Sequence, residues 1–254
     1  MSGRQIAGSV ALVTGASRGI GRAITEALLE RGAKKVYATA RDPKTVEALK
    51  EQYGSRVVPL QLDVTSDDQV AEVVRRASDV ELLFSNAGVA ELTEPPALTT
   101  ETIVDQARRE MEVNYFASLR LLQRFADTLA QRGGAVVIVS SVAALTNQPF
   151  VLTYSASKAA LHSLTQGARI VLAPRGVAVL GVYPGPVDTE MSRSIQIEKA
   201  SAQDVAASIL DGVEAGNDDI FPDPFAAAFG EYFQSSPKGS ERQVAAMMSG
   251  AAAA

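Results

Sequence analysis

The chain has 254 residues, a net charge of −5, 46% hydrophobic and 21% charged residues, the balance of a globular chain long enough to bury a substantial core. A net-negative chain offers no basic field to neutralise phosphates, which argues against nucleic acid as a partner. Cysteine is absent and histidine occurs once; this removes disulfides, thiolate chemistry and any multi-histidine metal site, and fits a reducing, cytoplasmic setting.

Strand and helix patterns alternate from the start. Val10 to Thr14 reads as a short apolar strand, too brief for a secretory signal. Gly19 to Glu30 reads as a helix with Ile20, Ala23, Ile24, Ala27 and Leu28 on one stripe. Lys35 to Ala40 is the second strand, Pro43 to Gln52 a polar helix and Val57 to Leu62 the third strand. Thr65-Ser-Asp-Asp starts a helix to about Ala77, and Leu82 to Ser85 is the fourth strand. Glu94-Pro-Pro breaks the chain before a long helical region, about Thr100 to Arg132, which Gly133-Gly134 ends. Ala135 to Ser140 is the fifth strand, Tyr154 to about Ala173 a helix, Val177 to Tyr183 the sixth strand, Ala202 to Glu214 a helix and Ile220-Phe221 a short seventh strand. The uncharged stretch 133–157 is no membrane span, because Ser140, Ser141, Asn147, Gln148 and Pro149 would fall at the bilayer centre.

This alternation predicts an α/β fold: a doubly wound, Rossmann-like parallel sheet of about seven strands with helices on both faces, in a single domain over residues 1–254. The tail, 224–254, is expected to be helical or partly mobile, and the closing Ala251 to Ala254 take no role.

Thr14-Gly-Ala-Ser-Arg-Gly-Ile-Gly21 joins the first strand to the first helix. Gly15, Gly19 and Gly21 would let backbone approach a pyrophosphate and aim helix N–H groups at it, with Ser17 and Ile20 lining the same turn. The spacing is G-x3-G-x-G, not the commoner dinucleotide pattern. The second strand ends at Arg41, where an arginine favours a ribose 2′-phosphate and an acid the free hydroxyl. Arg18 lies inside the glycine turn, so two guanidiniums could converge on one phosphate, and NADP(H) is the expected cofactor. Asp42 is the acid that could undo that reading, and the plainer alternative is that both arginines are solvated surface groups.

Tyr154-Ser-Ala-Ser-Lys158 places a phenol and an ammonium at i and i+4, on one helix face. The ammonium would stabilise phenolate and make the tyrosine an acid/base near neutral pH. The fifth strand runs into Ser140-Ser141, and strand ends in this architecture line the ligand crevice.

Taken in order, Thr14 to Gly21, Asp63-Val64, Asn86-Ala87-Gly88, Asn114, Ser141, Tyr154, Lys158 and Pro184-Gly185 resemble the short-chain dehydrogenase/reductase family, in its compact single-domain branch. The resemblance runs from about Val10 to Thr189 and more loosely to Asp223. It implies that Ser141, thirteen positions before Tyr154, polarises a carbonyl; its neighbour Ser140 does not match. Tyr154 would carry the proton, and Lys158 would lower the tyrosine pKa and bind nicotinamide ribose hydroxyls. Asn114, in Met111-Glu-Val-Asn-Tyr115, would hold a relay water. Asp63, with Val64, would contact adenine, although capping the next turn is an equal reading. Asn86-Ala87-Gly88 would skirt the adenine ribose. Pro184, Gly185, Val187 and Thr189 would wrap the nicotinamide, the Val187 backbone and Thr189 hydroxyl fixing its carboxamide.

The implied activity is reversible reduction of a ketone or aldehyde by NADPH. A non-catalytic NADP(H)-binding sensor or scaffold is the alternative, and it would be favoured by a damaged catalytic set, which is not seen. A lyase relative that lacks the nicotinamide is disfavoured by the intact glycine turn and Lys158. Val142, Ala143, Gln148, Phe150, Val187, Met191 and Phe225 are candidate pocket residues. Mostly apolar, they suggest a small neutral carbonyl or alcohol as substrate. Ala156, Ala160, Ser163 and Gly167 form a strip of small residues on the Tyr154 helix, suited either to close packing on the chain's own sheet or to a partner helix. The resemblance favours the latter, in a homodimer or homotetramer. His162, on the same helix, is read as structural or interfacial.

Overall fold

The computed structural model describes residues 3–91, 101–194 and 196–248. The expected Glu94-Pro-Pro break and the closing alanines lie outside those residues. Seven strands form one sheet: β1 (Val10–Val13), β2 (Lys35–Ala40), β3 (Val57–Gln61), β4 (Leu82–Ser85), β5 (Ala135–Val139), β6 (Ala178–Val182) and β7 (Asp219–Ile220). Their order is β3-β2-β1-β4-β5-β6-β7 and every pairing is parallel. This is the doubly wound Rossmann-like topology. The order reverses between β1 and β4, and ligands bind such sheets in the crevice at the carboxyl ends of the strands around that point.

Sequence pattern explains the central strands. Val-Ala-Leu-Val, Ala-Val-Val-Ile-Val and Ala-Val-Leu-Gly-Val in β1, β5 and β6 are buried at every position, as expected of parallel strands covered on both faces. One core layer joins the sheet to α1 (Gly19–Glu30), α2 (Glu47–Tyr53) and α7 (Ala202–Ala215), with Ile24, Leu28, Val205 and Ile209 at its centre. The other joins it to α3 (Asp67–Arg76), α5 (Ala117–Arg132) and α6 (Leu152–Leu172) through Val70, Leu121, Phe125 and Leu161.

The long helical region is not one α-helix. α4 (Ile103–Glu110) leads into a π-helical turn, Met111–Phe116, and then α5. The extra residue per turn places Asn114 inward, and such turns are frequent at functional sites. The tail carries α8 (Pro224–Ser235) and α9 (Pro237–Met248). α8 starts on Asp223, whose Oδ1 accepts the Ala226 N–H at 2.8 Å, with Pro224 in the first turn; an aspartate followed by proline is a strong helix start.

Candidate active site

The glycine turn leaves β1 and enters α1. Gly15 and Gly19 have φ of +68° and +54°, a region that L side chains rarely adopt. Gly21 is constrained by space: a Cβ there would stand 2.2 Å from the Gly15 carbonyl oxygen. No side chain caps the first N–H groups of α1. Backbone donors therefore face an open, positively polarised helix end, and the residues present fit a dinucleotide pyrophosphate.

Neighbouring strand ends hold this turn. The buried Thr14 hydroxyl accepts the N–H groups of Asn86 and Ala87 at 2.9 and 3.0 Å and donates to the Phe84 carbonyl at 3.3 Å. Asn86 returns its Nδ2 to the Thr14 carbonyl at 2.9 Å. The Asn86-Ala87-Gly88 triplet thus locks β4 to β1. At the end of β3, the Asp63 carboxylate accepts the Thr65 N–H and hydroxyl at 3.0 and 2.7 Å. Those bonds pull its pKa down, helped by the positive charge of Arg41. Capping is therefore what Asp63 does in the chain alone, next to buried Val64. The exposed Arg18 is ion-paired with Glu190, one residue after Thr189, while the charge of Arg41 acts on Asp63.

Across the crevice, Tyr154 and Lys158 share one face of α6. The ammonium sits 5.6 Å from the phenol ring centre and donates to the Val139 carbonyl at 2.9 Å. Asn114 and Lys158 meet at Gly88, where a Cβ would lie 3.1 Å from Asn114 Oδ1 and 3.6 Å from Lys158 Nζ. Asn114 clamps Val89 at both ends, accepting its N–H and donating to its carbonyl, each at 2.9 Å, and donates to Ser157 Oγ at 2.8 Å. Both of its amide donors are thus engaged with protein, and Oδ1 keeps one acceptor position. Ser141 Oγ accepts the Ala143 N–H at 3.1 Å and acts on the Tyr154 phenol. Ser140 points elsewhere, its buried hydroxyl donating to the Lys158 backbone at 3.4 Å.

The electrostatics of the chain alone run against the simple lysine–tyrosine expectation. Burial pushes Tyr154 up to about 12, with the Ser141 hydroxyl opposing that rise and the Glu110 charge adding to it. Burial also pushes Lys158 down to about 8. The two groups are desolvated together, and the ammonium reaches Val139 rather than the phenol oxygen.

The segment Pro184 to Thr189 follows β6. The Pro184 carbonyl accepts the Val142 N–H at 3.0 Å, tying it to the serine loop. Buried Val187 bridges Ala200, and Thr189 opens a short 3-10 turn, Glu190–Ser192. The glycine turn touches this segment, since a Cβ on Gly19 would meet Thr189 Cγ2 at 3.2 Å. Gly185 donates its N–H to Asp223 Oδ2 at 2.8 Å. Sequence reasoning gave Asp223 no site role, although the Asp223-Pro224 start signal was there to read. It also passed over Glu110, wholly buried on α4, for which a lone acid in a polar-looking helix gives no signal. Among the candidate pocket residues, Val142, Ala143 and Val187 are buried, while Met191 and Phe225 are exposed. His162 bonds the Tyr183 hydroxyl through Nδ1 at 2.7 Å.

A family model described as short chain dehydrogenase matches residues 9–200. The chain is a short-chain dehydrogenase/reductase. A solved short-chain dehydrogenase from Burkholderia cenocepacia J2315, in complex with NADP, is 39% identical to this family member, with a TM-score of 0.86 over 95% of this chain and 99% of that one. Another from Sphingobium yanoikuyae, in complex with NADPH, is 27% identical with a TM-score of 0.78, covering 91% and 94%. A 3-oxoacyl-(acyl-carrier-protein) reductase from Vibrio cholerae is 32% identical over 77% of this chain and 80% of its own. This dehydrogenase/reductase holds no group of three or more metal-binding side chains among the described residues, and none of its described helices is long and apolar enough to cross a membrane.

Proposed function

We propose that this oxidoreductase uses NADP(H) to interconvert a ketone or aldehyde and the corresponding alcohol. The observation that carries the reading is the grouping of Ser141, Tyr154, Lys158 and Asn114 beside a glycine turn built for a pyrophosphate. The 2′-phosphorylated cofactor is supported by Arg18 and Arg41 at the adenosine end, and by the NADP and NADPH complexes of the two solved relatives. The Arg18–Glu190 pair opposes it, because one guanidinium has two anions to serve.

Gly15, Ser17, Gly19, Ile20 and Gly21 would hold the pyrophosphate; Asp63, Val64, Asn86, Ala87 and Gly88 would line the adenosine. Lys158 would hold the nicotinamide ribose, and Pro184, Gly185, Val187 and Thr189 the ring. When bound, that ring supplies or accepts the hydride. Ser141 orients the substrate oxygen with a hydrogen bond. Tyr154 gives that oxygen its proton in reduction and takes it back in oxidation. The high pKa of the phenol suits it to keep its proton until the oxygen becomes basic. Lys158, a buried cation, favours the phenolate that remains. Asn114 fixes Val89 and the start of α6, and so the distance between these groups.

A homodimer or homotetramer is supported by the surface of α4 to α6. Ala156, Ser163 and Gly167 are exposed rather than packed on the sheet, and Ile170 and Val171 on the same helix are 75% and 69% exposed. Exposed apolar residues beside a strip of small ones suit a partner helix.

The test follows NADPH and NADH consumption against aromatic, aliphatic and steroid ketones, diketones and acyl thioesters, with Tyr154→Phe as control. NADPH consumption that Tyr154→Phe lowers by about 100-fold or more, with cofactor binding retained, supports the reading. Robust turnover by Tyr154→Phe removes the tyrosine from its role. Cofactor binding without consumption across the panel replaces the enzyme with a sensor.

A further inference from the structure

Glu110 is the last residue of α4, immediately before the π-helical turn, and its side chain is wholly buried. Its Oε1 accepts the Glu91 N–H at 2.8 Å. One turn earlier, Gln106 donates to the Glu91 carbonyl at 3.0 Å, and Arg109 grips the Glu91 carboxylate through two N–H groups at 2.9 Å. Three side chains of one helix therefore fasten a single residue of the segment that follows β4. That segment includes Val89, which Asn114 clamps.

The other oxygen of Glu110 has no such partner. Oε2 is buried without a hydrogen bond, and so is the hydroxyl of Thr153. Thr153 nevertheless acts on the Glu110 carboxyl, so the two face each other without closing a bond of ordinary length. Buried polar atoms left unmatched are rare and call for an explanation. Thr153 is the residue before Tyr154, and the Glu110 charge reaches the phenol itself. Burial raises the pKa of Glu110 and the Glu91 charge adds to that rise, while Thr153, the Glu91 N–H and Gln106 oppose it. The other charged groups of this cluster are Glu91, Arg109 and Asp105.

We propose that Glu110 is a positioning residue for proton transfer at Tyr154: its buried carboxylate fastens the segment after β4 against the catalytic helix and biases the phenol toward its protonated form. Ser141 and Glu110 then act in opposite senses on one hydroxyl. The serine hydroxyl favours phenolate, and the carboxylate favours the phenol that donates in reduction. The inference rests on the assignment of Tyr154 as the proton-transferring group.

Glu110→Gln separates charge from scaffolding. The amide oxygen can still accept the Glu91 N–H and the amide nitrogen can donate to Thr153, while the negative charge is gone. Two readouts follow the full-length protein. The tyrosinate absorbance band, taken as the difference from the matching Tyr154→Phe background, reports ionisation of Tyr154 without any reaction. The pH profile of kcat/KM for alcohol oxidation reports the same group at work. The expected result is a downward displacement of Tyr154 ionisation, and of the acidic limb of the profile, by about half to one pH unit. Circular dichroism and melting temperature should stay near those of the parent, whereas Glu110→Ala, which also loses the Glu91 contact, should melt lower. Unchanged tyrosinate titration in a folded Glu110→Gln protein would overturn the proposal and leave Glu110 a scaffold residue only. If the parent turns over no carbonyl substrate, the reaction assignment fails, and the absorbance titration still decides the effect of Glu110 on Tyr154.

Discussion

The crevice has two walls, and they are held by different means. The wall made of β1, the glycine turn and β4 is fixed by backbone. Gly15 and Gly19 bend where other residues would strain, Gly21 lies against a carbonyl, and Thr14 and Asn86 stitch two adjacent strand ends. The wall made of residues 183–192 and the start of α6 is fixed by side chains from far along the chain. Asp223 reaches back 38 positions to Gly185, and Glu110 faces Thr153 at the start of α6. On the proposed reading the first wall takes the cofactor pyrophosphate, which a stiff backbone serves. The second would border the substrate, and swapping a few distant side chains would reshape it without touching the glycine turn.

The sharpest way to break the comparison is Gly21→Ala. One methyl group placed 2.2 Å from the Gly15 oxygen cannot be absorbed by a side-chain rotation. The turn must open, at a cost of about 2–4 kcal/mol in stability and about 100-fold or more in NADPH affinity. Chemical denaturation and fluorescence titration of NADPH measure both. Parental affinity in this variant would mean the first wall yields as readily as the second.

Lys158→Met comes next, because Lys158 stands where the walls meet. Turnover should fall by about 100-fold or more with the loss of the buried cation. Stability should move the other way. The folded-state pKa of Lys158 is lowered to about 8 from the ordinary 10.5, so burying the charged form costs stability at all pH values below about 8. That cost is relieved as the pH rises from about 8 to 10.5, where the unfolded chain holds the extra proton. The cofactor-free variant should therefore be at least as stable as the parent at pH 7, with an advantage that shrinks toward pH 10. Melting temperatures across that range check the sign, and an advantage that grows with pH would refute the desolvation argument.

The same division explains what the sequence made legible. Strands, helices and the glycine turn follow from short-range pattern. β2, β4 and α1 have the bounds that periodicity and capping signals predict, because the apolar runs and helix starts lie within a few residues. The π-helical turn at Asn114 escaped, since Met111 to Phe116 is an ordinary helical run in composition and the turn packs on α6, far along the chain. Tyr154 and Lys158 were legible because one helix face carries both. Their acidities were not: burial raises one and lowers the other, and burial is a property of the assembled fold. Glu110 and Asp223 stayed hidden for the same reason, as acids whose partners lie 19 and 38 positions away. Arg18 shows the converse case. Its place in the turn was plain, but Glu190, 172 positions on, was not visible as its partner.

The smallest of the three effects, and the one that tests the second wall directly, comes from Asp223. Its two oxygens do separate jobs: Oδ1 caps α8 through the Ala226 N–H, and Oδ2 holds the Gly185 N–H, both at 2.8 Å. Asp223→Ala removes both and should lower stability by about 1–3 kcal/mol, the sum of a lost cap and an unpaired, half-buried N–H. Asp223→Asn divides them. Its single amide oxygen can still cap α8, but the amide N–H groups must then face the Gly185 N–H, so the tether is lost. Asn is as good a cap as Asp, so stability should fall less than in Asp223→Ala, by about 1–2 kcal/mol, the part owed to the unpaired Gly185 N–H. The Pro184–Thr189 segment should loosen beside the substrate, with kcat/KM falling about 3- to 10-fold and NADPH affinity changing less. If Asp223→Asn retains full kcat/KM, the tail merely covers the second wall; if it loses NADPH affinity as steeply as activity, the two walls share one support and the contrast between them disappears.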